Sequence, residues 1–439
     1  MIVKPMQTMP QVEASRRGEG KTLIYFLALT TAYLSMLALN YFSKNDLLKS
    51  LANGFAFLIF VTFLLNVFGR PVPRLTMGYV MTFTLLAAGM LFNAIQNFGA
   101  TDIADYLKML LSPFFFPIGY FSANLQEFDG RTRRTLLRYT WILLLIPGLI
   151  AAGELLIWGT RFQEEELSIS IFANRNNAAL YAIVLSILFV ILKFNGRWIT
   201  LYLVSVSLMF STLGVVVAVM LGIVIVQIRK GRLVRLALYF ILAAVALLML
   251  ISAMPDLPIF ERSLNLCRGL HHLYLSGQIW NLSHMSYGEL TQVMGSSDVS
   301  FFFRITHWAE LLEKYFNGSL DTMLFGNGVG SSARMTTAGL VPHNDYLRYL
   351  FECGLFAFLG FLILNLRIIK DAGSSYVAIP VITIVIYFFS ENLINNFLAM
   401  MLFYFLAGFV IAQKFGMRTT RTRHGHSASQ PELFRFGRL

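Results

Sequence analysis

The 439-residue chain is 56% hydrophobic and only 13% charged, with a mean hydropathy of +0.65. That balance excludes a soluble globular protein, which needs far more charge to cover a surface of this size. A net charge of +12 suggests nucleic acid at first sight, but the placement of the basic residues assigns them to membrane topology instead.

Taken in chain order, apolar runs predict twelve spans, near 22–43, 50–69, 77–96, 104–123, 137–158, 178–195, 198–211, 213–228, 234–254, 346–366, 376–391 and 396–414. A helix of about 20 apolar residues crosses a bilayer. The fold class expected is therefore an all-α polytopic membrane protein of about twelve transmembrane helices. Residues 1–21 carry no small-residue cleavage site behind an apolar core, so they read as a cytoplasmic tail before an uncleaved first span. With that end inside, Arg16, Arg17, Lys21, Arg70, Arg74, Arg131, Arg133, Arg134, Arg138, Arg367 and Lys370 all fall on the cytoplasmic side, as positive-inside bias requires. An odd number of spans between 198 and 228 would put "RKGRLVR" (229–235) outside, so 198–211 and 213–228 read as a hairpin about Ser211-Thr212. Residues 415–439 read as a basic cytoplasmic tail.

Two external segments interrupt the spans. The loop 159–177 holds Glu164, Glu165 and Glu166 and then Arg175 in "ANRNNAA". The segment 255–344, about 90 residues between the ninth span and the last three (345–414), is long enough for helices of its own, and loops of that length are usually functional. Within it "SFFFRITHWAELLEKYF" (300–316) puts Phe301, Ile305, Trp308, Leu312 and Tyr315 at helical spacing, the mark of an amphipathic helix on the membrane surface or over the spans. "FGNGVG" (325–330) breaks that structure; no Lys-Ser/Thr follows it, so it is not a nucleotide-phosphate loop.

The residues with chemistry cluster at the mouths of the spans. His343 precedes the tenth span, where Asn344 or Asp345 can cap the helix. A neutral imidazole there can serve as a general base, and the alternative is a polar neighbour of the cap. Arg348 and Glu352, spaced i, i+4, suit an ion pair facing the bundle interior. Arg175 fits a phosphate, because the planar guanidinium binds two oxygens at once, or else snorkels at the interface. Arg304 suits a phosphate or a pairing with Glu164, Glu165 or Glu166. The external histidines His271, His272, His284, His307 and His343 follow no metal-ligand spacing, and Cys267 and Cys353 form no CxxC pattern, so neither a metal nor a cofactor is expected.

Three stretches together resemble the O-antigen ligase and polymerase superfamily of bacterial inner-membrane glycosyltransferases. "FANRNNAALYA" (172–182) looks like the family's Asn-Arg-Asn segment before a span. "RITHW" with "LFGNGVG" (304–308 and 324–330) is similar to its Arg-x-x-x-Trp helix and glycine loop. "PHNDYLRYLFECGLFAF" (342–358) looks like its His-Asn-x-x-Leu…Glu-x-Gly signature. Where many members carry Ser-x-Ser-Arg-Gly, this chain reads "FSTLG" (210–214), without the arginine. The resemblance implies a polyprenyl (undecaprenyl) diphosphate-linked glycan as donor, diphosphate binding by Arg175 and Arg304, and His343 as the base that takes the acceptor's proton, with Asn344, Asp345 and Arg348 in support. It implies a metal-independent, inverting transfer on the periplasmic face, with 255–344 as a periplasmic loop. The acceptor is lipid A-core for a ligase, the reading preferred, or a second lipid-linked glycan for a polymerase. A glycan or lipid transporter is the non-enzymatic alternative, but it calls for charged or broken helices near mid-membrane, and Lys108 is the basic residue placed within a span.

Overall fold

A computed structural model describes residues 19–68, 75–123, 128–158, 171–172, 174–210, 212–232, 234, 258–294, 300–373, 376 and 378–424. The predicted span at 234–254, its first residue apart, and the acidic run 164–166 lie outside these residues, as does the chain beyond 424.

The described residues form helices and contain no strand. In order these are α1 (Glu19–Ser43), α2 (Asp46–Phe68), α3 (Met77–Gln96), α4 (Ile103–Ser122), α5 (Gly130–Trp158), α6 (Arg175–Ile191), α7 (Gly196–Phe210) and α8 (Leu213–Arg229). Then come α9 (Pro258–Leu275), α10 (Tyr287–Met294), α11 (Ser300–Phe316), α12 (Leu320–Phe325), α13 (Ser331–Met335) and α14 (Asp345–Arg348). A π-helical turn (Tyr349–Cys353) joins α14 to α15 (Gly354–Ala372), followed by α16 (Ala378–Tyr387) and α17 (Phe397–His424).

Among the described residues five stretches are long and apolar enough to cross a membrane: Lys21–Ser43, Met77–Gln96, Gly130–Glu154, Asp345–Ala372 and Phe397–Phe415. Four shorter apolar helices accompany them, at Ser50–Asn66, Arg175–Ile191, Gly214–Arg229 and Ala378–Tyr387. The described residues are thus all-helical and of membrane character, with five full-length candidate spans among them; the ninth of the twelve predicted spans falls outside. Three other predicted spans have local reasons for falling short. α4 carries Asp105 and Lys108 in its first turns, α7 is only 15 residues long, and Thr212, in extended conformation, separates α7 from α8.

The surface agrees with a membrane environment. Met81, Leu91 and Phe92 on α3, and Leu149, Leu156 and Ile157 on α5, are each more than half exposed. Apolar faces turned outward in such numbers belong against lipid rather than water.

At the centre stands α17, whose residues from Leu398 to Phe409 are almost wholly buried. It packs along α4 and against α6. Gly119 and Gly408 make the α4–α17 approach possible. A methyl group on Gly119 would run into the Phe405 carbonyl, and one on Gly408 into the Phe116 carbonyl. Small residues at a crossing let two membrane helices bring their backbones together, where dispersion replaces the missing hydrophobic drive. Phe26 of α1 stacks on Phe405 from the other side, centroids 3.6 Å apart.

α11 lies over the bundle, held from two directions. Phe302 packs with Leu273, Leu282 and Leu290 of the neighbouring segments, while Leu311 and Tyr315 pack with Leu347 and Phe351. The predicted apolar stripe is met in part: Tyr315 is buried and Ile305 and Trp308 are half-buried, while Phe301 and Leu312 are exposed and Phe302 and Leu311 are buried instead. A single-stripe pattern cannot place a helix that buries residues against partners on two sides.

Candidate functional site

Asn344 starts α14, its side-chain oxygen accepting from the Leu347 N–H at 3.0 Å. Such a cap satisfies one of the donors a helix leaves free at its N-terminus. Four residues later the helix widens into the π-turn and stops at Gly354, whose φ is +81°. This interruption lies within the tenth predicted span, and π-turns inside helices are frequent at functional sites.

The glycine loop 326–330 holds that turn. Asn327 and Gly328 donate their backbone N–H groups to the Phe351 and Glu352 carbonyls at 3.1 and 3.0 Å, and Asn93 of α3 donates to Glu352 O at 2.8 Å. Gly326, at φ +83°, presses against the Glu352 carbonyl, and Gly354 presses against the carbonyl of Leu324. Neither position has room for a side chain. The "GNGVG" stretch is a latch for the π-turn.

Behind the latch lies a closed ionic network. Arg348 is fully buried. Its Nε donates to Glu352 at 3.0 Å, its Nη2 to Asp105 at 2.8 Å and its Nη1 to Asn395 at 2.6 Å. Asp105 also pairs with Lys108 at 2.8 Å, and Ser332 donates to Glu352. The two cations and two anions balance, which is how buried charge is tolerated. The expected Arg348–Glu352 pair is present, and Asp105 and Asn395 extend it.

A second cluster is half open. Glu391 lies in the loop between α16 and α17, its side chain 7% exposed. One carboxylate oxygen accepts from Arg304 Nη2 at 2.9 Å, and the other faces His343 Nδ1 at 3.1 Å. A carboxylate only accepts, so this contact assigns the hydrogen to Nδ1 and leaves the lone pair of the neutral ring on Nε2. The His343 side chain is 36% exposed.

Two buried anchors place the Glu391 loop. Asp345 donates its backbone N–H to Phe388 O at 2.8 Å, and its carboxylate accepts from Leu393 N and Ile394 N at 2.7 and 3.2 Å. The cap is therefore Asn344, and Asp345 is a clasp on the neighbouring loop rather than a charge on His343. Arg348 holds Asn395 in the same loop, and Asn396 donates to Asn177 O of α6 at 3.1 Å.

Arg175 is the first residue of α6, which Asn174 caps, and it is buried. The Tyr387 hydroxyl, at the end of α16, is within electrostatic reach of Glu391, Arg304 and Arg175 alike. Arg304 and His343 meet at one carboxylate. Arg304 pairs with Glu391; the suggested partners 164–166 are outside the described residues. Of the five histidines weighed as metal ligands, His271, His272 and His284 are exposed elsewhere, while His307 lies near His343. Burial pushes the His307 imidazole below its ordinary value, against an opposing pull from Glu310. Among the described residues no three His, Cys, Asp or Glu side chains converge as a metal site.

Glu391 is the residue that sequence reasoning passed over. Its signal was present: an acid at the end of an apolar run, in "FFSENLINNF" (388–397), where an ionisable residue beside a membrane segment is by default a functional candidate. Asp105 had the same standing. The chain matches no family model and no curated protein.

Proposed function

We propose that the chain is a membrane glycosyltransferase of the O-antigen ligase type, moving a glycan from a polyprenyl diphosphate carrier to a hydroxyl of lipid A-core. The observation that carries this reading is the Arg304–Glu391–His343 bridge, which sets a cation and an oriented imidazole side by side at the mouth of a helical bundle. The motifs at 172–182, 304–330 and 342–358 support it independently.

In the proposed reaction His343 Nε2 takes the proton of the acceptor hydroxyl as its oxygen attacks the anomeric carbon. The bond from that carbon to the diphosphate oxygen breaks, and the configuration inverts. Glu391 steadies the imidazolium that forms, as a carboxylate behind a catalytic histidine does. The leaving lipid diphosphate gains charge, which Arg175 and Arg304 stabilise. Arg304 commits Nη2 to Glu391, which in this reading leaves Nε and Nη1 for the anion. In this reading the site faces the periplasm and both chain ends the cytoplasm, which the positive-inside rule supports if the arginine-rich ends of α5 and α8 are cytoplasmic.

The test is a transfer assay with purified protein, lipid-linked donor and either lipid A-core or a second lipid-linked glycan. Glycosylated lipid A-core is the expected product. Chain extension of the lipid-linked glycan alone would make the protein a polymerase, and no transfer to either acceptor would remove the enzymatic reading. Topology has a test that needs no mutation. Cys267 is exposed and Cys353 is buried, so a membrane-impermeant maleimide should label one thiol from the periplasmic side. Labelling only after the inner membrane is breached would invert the orientation.

A further inference from the structure

The face of α11 that carries Arg304 carries two more polar groups one turn on, His307 and Trp308, since residues i, i+3 and i+4 share a helix face. His307 is only 4% exposed, yet neither ring nitrogen has a hydrogen-bond partner among the described residues; nor does the buried Nε1 of Trp308. The Leu340 backbone comes close to His307 without the geometry of a hydrogen bond. The imidazole lies parallel to Phe303, centroids 5.9 Å apart, and Glu310 and His343 are its charged or titratable neighbours.

A buried polar group left unpaired costs about 1–3 kcal/mol. Three on one helix face, beside the proposed base, call for a ligand. Their chemistry selects its class. A neutral imidazole offers one donor and one acceptor, and an indole offers a donor only. A phosphate would satisfy the two donors but leave the imidazole acceptor unpaired. A hydroxyl both donates and accepts, so vicinal hydroxyls satisfy all three atoms.

We infer that His307 and Trp308 form a carbohydrate subsite that holds the sugar carrying the attacking hydroxyl, next to His343. This rests on the glycosyltransferase reading for the identity of the sugar as acceptor. The two residues bind and orient; they exchange no proton with the reacting atoms.

His307→Gln and Trp308→Phe are compared with wild type in the transfer assay, with donor and acceptor concentrations varied separately. Each variant should raise the acceptor KM about tenfold, the size of one neutral hydrogen bond, with kcat within about twofold. The donor KM and the pH profile should not move. An unchanged acceptor KM in either variant, or a shift in donor KM instead, overturns the subsite. A second measurement separates this from the parent reading: saturation-transfer NMR of delipidated lipopolysaccharide core oligosaccharide on the purified protein, which needs no turnover. If wild type binds the oligosaccharide and both variants lose it while no donor supports transfer, the subsite stands and the transferase reading falls. If transfer proceeds and the variants keep wild-type acceptor KM and oligosaccharide binding, the reverse holds.

Discussion

Arg348 and Arg304 stand on two elements that pack together, each bonded to a glutamate, yet they live in different surroundings. Arg348 is sealed at 0% exposure between Glu352, Asp105 and Asn395, with a partner for each nitrogen. Arg304 is 25% exposed and shares Glu391 with a histidine whose second nitrogen is free to accept. The contrast teaches that the residue type does not assign the role. A balanced network with every donor used holds helices together. A cluster of similar charges with an opening keeps chemical capacity in reserve.

The sharpest way to break that comparison is to cut each cluster and ask whether fold or transfer suffers. Arg348→Ala strands the buried Glu352 carboxylate and leaves Asp105 with Lys108 alone, which should destabilise the protein by about 3–5 kcal/mol. Thermal unfolding in detergent reads it, and an unchanged midpoint would deny the network its structural role. Arg304→Ala and Arg175→Ala should instead each reduce transfer by about 2.7–4 kcal/mol of transition-state stabilisation while the protein still inserts. Lysine should rescue only partly, because an ammonium lacks the planar fork. Near-normal transfer by both alanine variants removes the diphosphate site.

Smaller effects sharpen the picture. Glu391→Gln keeps a hydrogen-bonding group but loses the charge behind the imidazole, worth about 1.5–3 kcal/mol in transfer. Combined with His343→Ala it should add almost nothing, since residues that act as a unit are not additive. Full additivity would separate the two. Smallest is Asn344→Ala, which deletes the α14 cap at a cost of about 1 kcal/mol, read as a modest fall in unfolding temperature.

Much of the helical frame was legible because apolar runs end where charge, glycine or proline begins. The run at 77–96 coincides with α3, and 104–123 differs from α4 by one residue at each end. The cap at Asn344 and the Arg348–Glu352 pair were local patterns and were equally readable. What escaped was set by distant partners. Glu391 gains its meaning from Arg304, 87 residues away, and Arg348 from Asp105, 243 residues away. The π-turn has no periodic signature either; it exists because the glycine loop is there to take its carbonyls. The buried face of α11 was legible only in part for the same reason, being defined by two neighbours at once.

The central claim is that His343 takes a proton rather than merely holding the acceptor in place. His343→Gln tests it most directly, because an amide can hydrogen-bond a hydroxyl but cannot accept its proton at neutral pH. If His343 is the base, the variant inserts correctly and keeps oligosaccharide binding, and its transfer rate falls by about 10²–10⁴-fold. A glutamine variant that retains most of the wild-type rate would contradict it and leave His343 as a positioning residue.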